Sequence, residues 1–220
     1  MKFITLICAI LFSSMLVAQK TAAITCTVTD FKGKARKGET VYFVGQKTKK
    51  KFETIADAKG IALVNLPKGD TYEIQLLGIG EEKEYSTLEI PDKEGEMTAK
   101  VTIQFELPLT VDLNDINFET GKSNLKPTSF KQLDKLALLM ERKPELTIQI
   151  IGHTDNVGND AANLQLSKER AASVKKYITS KKIDAKRIET DGKGASEPVA
   201  DNTTDKGKAQ NRRTEIRVKE

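Results

Sequence analysis

The sequence predicts two folded regions of different class, and three observations carry that prediction. From about residue 23 to 107, short β-prone runs alternate with charged or Gly-containing turns, which is typical of an antiparallel β-sandwich. From residue 108 onward, segments with helical spacing alternate with short strands, which indicates helices packed on a sheet. Pro108 lies where the pattern changes. We therefore predict an N-terminal β-sandwich domain at 23–107 and a second domain at 108–220.

Seven β-prone runs fill the first region. Turn clusters such as 57–60 and 66–70 separate them, and the Gly, Asp and Pro residues in these clusters are typical turn formers. The lysine-rich run 47–51 is interpreted as a solvated hairpin edge, where lysines discourage edge-to-edge pairing. The predicted strands are 24–29, 39–45, 50–55, 60–66, 71–78, 83–90 and 97–107.

Strands and helices alternate in the second region. Segment 128–142 is predicted to be helical because its apolar residues recur at helical spacing and Pro144 follows its end. Those apolar residues are Phe130, Leu133, Leu136, Ala137 and Met140. A second helix at 163–180 carries the stripe Ser167, Ala171, Val174 and Ile178, and a third is predicted at 204–210. The predicted strands are 111–118, 146–151, 187–192 and 213–218.

Residues 1–18 have the composition of a secretory signal peptide. Lys2 precedes an apolar run that ends at Ala18 and is short for a membrane span. We predict cleavage after Ala18, or as late as residue 23, and an uncleaved N-terminal anchor is the alternative. No later segment is apolar enough to cross a bilayer as a helix. The mature protein is therefore expected in the periplasm, associated with the outer membrane only through a partner.

Composition narrows the range of partners. The 36 Lys and Arg residues are nearly balanced by 31 Asp and Glu residues, which gives a formal charge of +5. The basic residues are dispersed and Trp is absent, so no basic–aromatic stripe indicates nucleic-acid binding. With Cys8 in the predicted leader, Cys26 is left alone. Its alternation with Ile24 and Val28 predicts a buried, inert thiol, and an intermolecular disulfide is the alternative.

A predicted strand, a polar loop and a helix follow one another from residue 148 to 170. The loop presents Asp155, and the helix presents Arg170 fifteen residues later. An acid and a base held on a rigid strand–loop–helix unit make a site for a zwitterion, meaning a ligand with an ammonium group beside a carboxylate.

Several spaced motifs resemble the C-terminal peptidoglycan-binding domain of the outer membrane protein A family, the OmpA-like domain. They are GHTD at 152–155 followed by Gly158, the helix signature within 163–171, and NRRTEI at 211–216. The resemblance covers about residues 108–220 and implies an α+β fold with helices on a mixed four-stranded sheet. It also implies binding to the peptide stem of peptidoglycan, usually at diaminopimelate. The turn residues of the first region more loosely resemble a transthyretin-like or carboxypeptidase-regulatory-like β-sandwich.

Carried over residue by residue, the resemblance implies a ligand site. Asp155 would accept hydrogen bonds from the ligand's ammonium group, and the planar fork of Arg170 would bind its carboxylate. Arg212 would either contact the ligand or brace the Asp155 loop, and one of Arg212 and Arg213 is expected to make only a structural ion pair. Glu119 stands where the family often has Asp. The other implied contacts are Thr154, Asn156, Val157, Gly158 and Asn163.

His153 is the sole histidine of the chain. A metal site needs several clustered ligands, so we interpret His153 as a packed, hydrogen-bonding residue that shapes the loop. No metal, cofactor or catalytic residue is predicted, and no nucleophile-elbow motif is present. The predicted function is non-catalytic anchoring of a secreted protein, or its partner, to the cell wall. The alternatives are a structural subunit of an envelope assembly, with the β-sandwich making the main protein contact, and a targeting domain for a cell-wall enzyme.

Overall fold

The computed structural model describes residues 20–80, 82–113, 116–119 and 121–219. The predicted signal peptide, including Cys8, lies outside these residues. None of the described helices is both long enough and apolar enough to cross a membrane.

Seven strands in two sheets form the N-terminal lobe, a name we use for residues 21–104. One sheet has the order β4-β1-β7 and the other has the order β3-β2-β5-β6. All seven predicted strands are present, with ends that differ from the predictions by a few residues. They are β1 (Thr21–Thr29), β2 (Thr40–Gly45), β3 (Lys51–Ile55), β4 (Ile61–Pro67), β5 (Asp70–Leu77), β6 (Glu82–Ile90) and β7 (Thr98–Gln104).

The two sheets bury one apolar core between them. Ile24, Cys26 and Val28 alternate along β1 and lie in the same cluster as Phe43 of β2 and Ile74 of β5. Period-2 alternation places such residues on one face of each strand. Cys26 is a free thiol, and burial raises its pKa to about 11. The prediction of a buried thiol is therefore confirmed.

One strand pairing differs from the predicted antiparallel arrangement. β1 pairs with β4 in antiparallel register, but it pairs with β7 in parallel register, with Cys26 opposite Val101. β7 follows β6, which belongs to the other sheet, so no tight hairpin fixes its direction against β1. The prediction of a wholly antiparallel sandwich is wrong for this pair.

The second region is a helix-on-sheet unit, as predicted. Its sheet has the order β10-β9-β11-β8; β9 and β10 are parallel, and β11 is antiparallel to both β9 and β8. The elements are β8 (Thr110–Leu113), α1 (Phe130–Arg142), β9 (Thr147–His153), α2 (Asp160–Ser180), β10 (Ile188–Gly194), α3 (Asp205–Asn211) and β11 (Thr214–Lys219). A 3₁₀ turn at Pro127–Ser129 precedes α1. The predicted strand at 111–118 is shorter than expected, because β8 ends at Leu113 and Phe118 bridges Leu125 instead.

Both long helices bury the predicted stripes. The α2 stripe of Ser167, Ala171, Val174 and Ile178 is buried. In α1, four of the five predicted residues are buried, while Phe130 is half-buried and stacks on Tyr177. Leu139 of α1 is also buried, although it lies outside the predicted stripe.

Candidate functional site

Small residues bring α2 close to the sheet beside the Asp155 loop. A side chain at Gly152 would overlap the carbonyl oxygen of Ser167, and a side chain at Gly192 would overlap the Ser167 hydroxyl. The Ser167 hydroxyl also accepts a hydrogen bond of 3.0 Å from the Gly194 amide. These contacts fix this turn of α2 against β9 and β10. Arg170, about one turn further along α2, is thereby fixed relative to the end of β9.

The loop that follows β9 is held by hydrogen bonds to its own backbone. Asp155 Oδ1 accepts from the Val157 amide at 3.1 Å, and Thr154 Oγ1 donates to the Asp155 carbonyl at 2.8 Å. Asn163 Nδ2 donates to the carbonyls of Val157 at 3.1 Å and Asp155 at 3.4 Å. Thr154 and Asn163 are both buried, so their observed contacts hold the loop in shape.

The tip of this loop is open to solvent. Asn156, Val157 and Gly158 are exposed, and Gly158 has a φ of 99°, a left-handed conformation that favours glycine. Asn159 then caps α2 by accepting from the amides of Ala161 and Ala162. The Val157 amide already donates to Asp155, so a ligand would have to displace that bond to use it.

Arg212 forms an ion pair with Asp155. Its Nη1 lies 2.6 Å from Asp155 Oδ2, so Arg212 braces the loop, which was one of the two expectations for this residue. An ionised carboxylate has about four acceptor positions, so Asp155 keeps acceptor capacity after bonding to Arg212 and Val157.

Arg170 presents a guanidinium group that is oriented but not neutralised. Its Nε donates to the Lys122 carbonyl at 3.2 Å, and its Cζ lies 5.0 Å from the centroid of the Phe118 ring. Among the described residues, none accepts a hydrogen bond from its two Nη atoms. Burial lowers the pKa of Arg170, the positive charge of Arg212 lowers it further, and Asp155 acts in the opposite direction. An arginine remains protonated at neutral pH despite such shifts.

A cleft of about 600 Å³ is lined by Arg170 and Arg212, whereas Asp155 is not among its lining residues and is joined to it through the pair with Arg212. Arg170 and Arg212 contribute its cationic wall, and Phe118 contributes an aromatic surface. Glu119 also lines the cleft, but its Oε2 pairs with Lys122 Nζ at 2.8 Å, and this lysine lowers the pKa of Glu119. The cleft therefore offers two arginines to an anionic group, with the Asp155 carboxylate bound to one of them. The remaining lining residues are Ile116, Asn117, Gly121 and Ala209.

Sequence reasoning missed two parts of this cleft. Phe118 enters the sequence predictions only as the last residue of the predicted strand 111–118, and no role is assigned there to the Lys122 carbonyl. An aromatic residue in the segment that opens the domain was the available signal for Phe118. Its contact with Arg170 joins residues on separate elements, so local sequence patterns do not reveal it.

His153 is packed beneath the loop. Its backbone amide donates to the Arg213 carbonyl, and its side chain is buried. Within the described residues neither ring nitrogen has a hydrogen-bond partner, and Nε2 lies 3.5 Å from Glu215 Oε2. The prediction of a packed, hydrogen-bonding residue is confirmed by its burial and its backbone amide, although the imidazole ring makes no hydrogen bond to the described residues. The main-chain groups of the strands around His153 are already used in strand pairing, so they are not available as partners for its ring.

Arg213 makes the structural ion pairs expected of one of the two adjacent arginines. Its Nε lies 3.2 Å from Asp112 Oδ1, its Nη2 lies 3.4 Å from Glu215 Oε2, and its side chain is buried.

Across the described residues there is no group of three or more His, Cys, Asp or Glu residues placed to hold a metal ion.

Comparison with known proteins matches the same part of the chain. The family model for the OmpA family matches residues 117–212. "Outer membrane protein A" of Bordetella avium is 46% identical over 104 residues, which are 47% of this chain and 54% of that protein. "Probable lipoprotein YiaD" of Escherichia coli (strain K12) is 39% identical over 103 residues, 47% of each chain. The chain thus spans about half the length of these relatives.

Among solved structures, the peptidoglycan-associated lipoprotein from Burkholderia pseudomallei is 24% identical. The match covers 51% of this chain and 91% of that chain, with a TM-score of 0.44.

Proposed function

We propose, from the premise that residues 117–212 form an OmpA family domain, that this protein binds peptidoglycan without catalysis and anchors itself or a partner to the cell wall. The observation that carries the proposal is Arg170, a charged guanidinium held in place beside Asp155 in an open cleft. The ligand we propose is the zwitterionic end of a diaminopimelate-type stem peptide.

Arg170 is proposed to bind the ligand's carboxylate. The Lys122 carbonyl holds the Nε of Arg170, and the Phe118 ring packs against the guanidinium group. The two Nη atoms can therefore make a bidentate contact at little entropic cost. The nearby positive charge of Arg212 adds attraction for an anion. Bringing a carboxylate into the cleft relieves the repulsion between these two arginines.

Asp155 is proposed to receive the ligand's ammonium group. Its carboxylate is already oriented by the Val157 amide and by Arg212, so it needs no rearrangement to accept further hydrogen bonds. Thr154 and Asn163 support the loop from beneath, and we assign them a positioning role rather than ligand contact. Asn156 and Gly158 remain proposed contacts through their exposed backbone at the loop tip.

The periplasm is the proposed location. The predicted signal peptide and the similarity to outer membrane protein A of Bordetella avium both support an envelope location. No cofactor or metal enters the proposed mechanism. The N-terminal lobe is proposed to contact an envelope protein.

Co-sedimentation with purified insoluble peptidoglycan tests the proposal. We expect the mature protein in the pellet, and Asp155→Ala or Arg170→Ala in the supernatant. Losing one partner of a desolvated charged pair costs roughly 2–5 kcal/mol, so each variant should bind at least about 30-fold more weakly. Asp134→Ala is the matched control, because it removes an exposed carboxylate that pairs with Lys181 outside the cleft. Each variant should melt as a folded protein, and pelleting of both cleft variants like wild type would refute the site.

Competition with soluble stem peptides tests the ligand. A peptide that contains diaminopimelate should displace the protein from the wall, and the matching peptide with lysine, which lacks the side-chain carboxylate, should do so poorly. Equal competition by both peptides against wild type would leave wall binding intact and overturn the diaminopimelate assignment.

A further inference from the structure

We infer that α1 joins the N-terminal lobe and the OmpA family domain into one rigid body, so that the lobe is held in a fixed orientation relative to the cleft. The lobe would then be a fixed extension of the anchor and not a module on a flexible linker. This inference rests on the seam between the two parts, meaning the contacts of α1 with the lobe, and does not depend on what the cleft binds.

α1 is covered on two faces. Leu133, Leu136, Ala137 and Met140 of its predicted stripe pack into the core of its own domain. Successive residues of an α-helix are about 100° apart, so Gln132, Lys135, Leu139 and Arg142 project from a different face than that stripe. This second face is the one that meets the N-terminal lobe.

Two cations on the second face and one just after the helix pair with three acids of the lobe. Lys135 Nζ lies 3.5 Å from Glu82 Oε1, and Arg142 Nη2 lies 2.9 Å from Glu53 Oε1. Lys143, at the end of the helix, has its Nζ 2.6 Å from Glu39 Oε1. The charges of the two surfaces are therefore complementary along the helix.

The pair between Glu39 and Lys143 is buried on both sides. Glu39 Oε1 also accepts from Arg36 Nε at 3.1 Å, and Glu39 Oε2 has no hydrogen-bond partner among the described residues. A small slide of the lobe along α1 would part Lys143 from its acceptor while both groups stay out of water. A buried charge without a partner is strongly unfavourable, so this pair resists sliding or hinging at the seam.

Two glycines let the lobe approach α1 with bare backbone. Gly38 and Gly80 have φ values of 75° and 73°, a region that favours glycine. A Cβ at Gly38 would lie 2.6 Å from the Arg142 carbonyl oxygen, and one at Gly80 would lie 3.0 Å from Gln132 Cγ. Close contact at two separate turns of the lobe fixes the position of the helix better than a single contact would.

Apolar side chains of the lobe complete the seam. Tyr42, Leu77 and Ile79 are buried in the core cluster of the OmpA family domain and not in that of the lobe. Leu139 belongs to the same cluster. The burial of Leu139 outside the predicted stripe is thereby explained, and the two parts share one continuous core at this helix.

α1 also reaches the cleft at its other end. Ser129, just before the helix, donates to the Asn117 carbonyl and accepts from its amide at 2.7 Å, and Asn117 lines the cleft. The helix has 13 residues, so it spans about 20 Å between that contact and Lys143. One rigid element therefore runs from the cleft to the seam.

Spin-label distance measurement on the full mature chain tests the inference. Lys100→Cys on β7 and Lys176→Cys on α2 place labels on exposed positions of the two parts, while the buried Cys26 should react much more slowly than either. We expect one narrow distance distribution and a single thermal transition. A broad or multiple distribution, or two independent transitions, would overturn the rigid body.

A matched pair of glycine variants tests the seam itself. Gly38→Ala and Gly33→Ala both place alanine at a positive φ, but only the first adds a Cβ against α1; at Gly33 nothing lies within 4 Å. We expect Gly38→Ala to broaden the distance distribution and to lower the melting temperature by several degrees more than Gly33→Ala does. Equal behaviour of the two variants would refute the seam contact. Wall pelleting is scored separately, so failure of the proposed function leaves this result interpretable.

Discussion

The cleft and the seam each contain an acid–base pair at the same distance, 2.6 Å, and the two pairs serve different ends. In the cleft, the side chains of Arg212 and Asp155 are 46% and 13% exposed. In the seam, those of Lys143 and Glu39 are 4% and 1% exposed. The two pairs therefore have the same length and differ in their exposure to solvent.

Exposure matters because water competes for each charge. An exposed ion pair typically contributes up to about 1 kcal/mol, so its partners can exchange readily. Removing one member of a buried pair leaves a charge without solvent or partner and costs about 3–5 kcal/mol. We therefore expect changes in the seam to act on folding and changes in the cleft to act on binding.

The largest effect is expected from Lys143→Met. It should lower the free energy of unfolding by about 3 kcal/mol, the low end of the range for a broken buried pair, because Glu39 loses its buried lysine and keeps only the partly exposed Arg36; urea denaturation measures this. The double variant Glu39→Leu with Lys143→Met should recover much of that loss, since an apolar pair replaces both charges. A loss below about 1 kcal/mol in the single variant would mean that the buried pair of the seam contributes no more to stability than the exposed pair of the cleft.

The next effect is expected from Arg170→Lys in the cleft. Lysine keeps the charge but lacks the planar fork and its position over Phe118, so affinity for peptidoglycan should fall about tenfold, with the melting temperature nearly unchanged. A binding isotherm with insoluble peptidoglycan measures this. Arg217→Lys is the control, because Arg217 pairs with Glu197 outside the cleft. Full affinity in Arg170→Lys would mean that charge alone is recognised.

A smaller effect should come from His153 as the pH falls. Burial and the charge of Arg213 lower its folded-state pKa below 6.5, while Glu215 opposes them. The unfolded chain therefore takes up a proton more readily, and the stability that depends on neutral His153 is present above pH 6.5 and declines below it. Titration of this one group can change the free energy of unfolding by at most about 1.4 kcal/mol per pH unit.

Urea unfolding of wild type and His153→Gln between pH 7.5 and pH 5 measures this difference. Glutamine cannot titrate, so the variant should lose less stability over that range than wild type does. Parallel curves for the two proteins would show that His153 does not couple to folding in this range.

The smallest effect is expected from Arg212→Ala. Since its side chain is nearly half exposed, removing it should lower the free energy of unfolding by less than about 1 kcal/mol. Thermal or urea denaturation measures this, with Lys143→Met as the contrasting variant. A loss as large as that of Lys143→Met would contradict the distinction between the cleft and the seam.

The features that could be predicted from sequence are those that local periodicity encodes. Alternation located the seven strands of the lobe, and helical spacing located the α2 stripe around Ser167 and Ala171. The loop and helix that present Asp155 and Arg170 were located in the same way. These patterns depend on neighbours within a few residues, so one sequence suffices to read them.

The features that were missed depend on contacts between distant parts of the chain. Glu39 and Lys143 are 104 residues apart, and nothing near either residue indicates the other. The parallel pairing of β7 with β1 and the burial of Leu139 likewise depend on how whole elements pack. The contact of Phe118 with Arg170 also joins separate elements, and it depends on where α2 lies against the sheet.

Cys26 gives the folded lobe a built-in reporter of its own opening. Thiol–disulfide exchange and alkylation both begin with a thiolate, and with a pKa of about 11 only roughly one Cys26 in ten thousand would be ionised at pH 7 even if reagents could reach it. In the native protein this sulfur should therefore stay unmodified in an oxidising compartment. The rate at which an added alkylating reagent reacts with Cys26 then measures how often the lobe opens, with no introduced label.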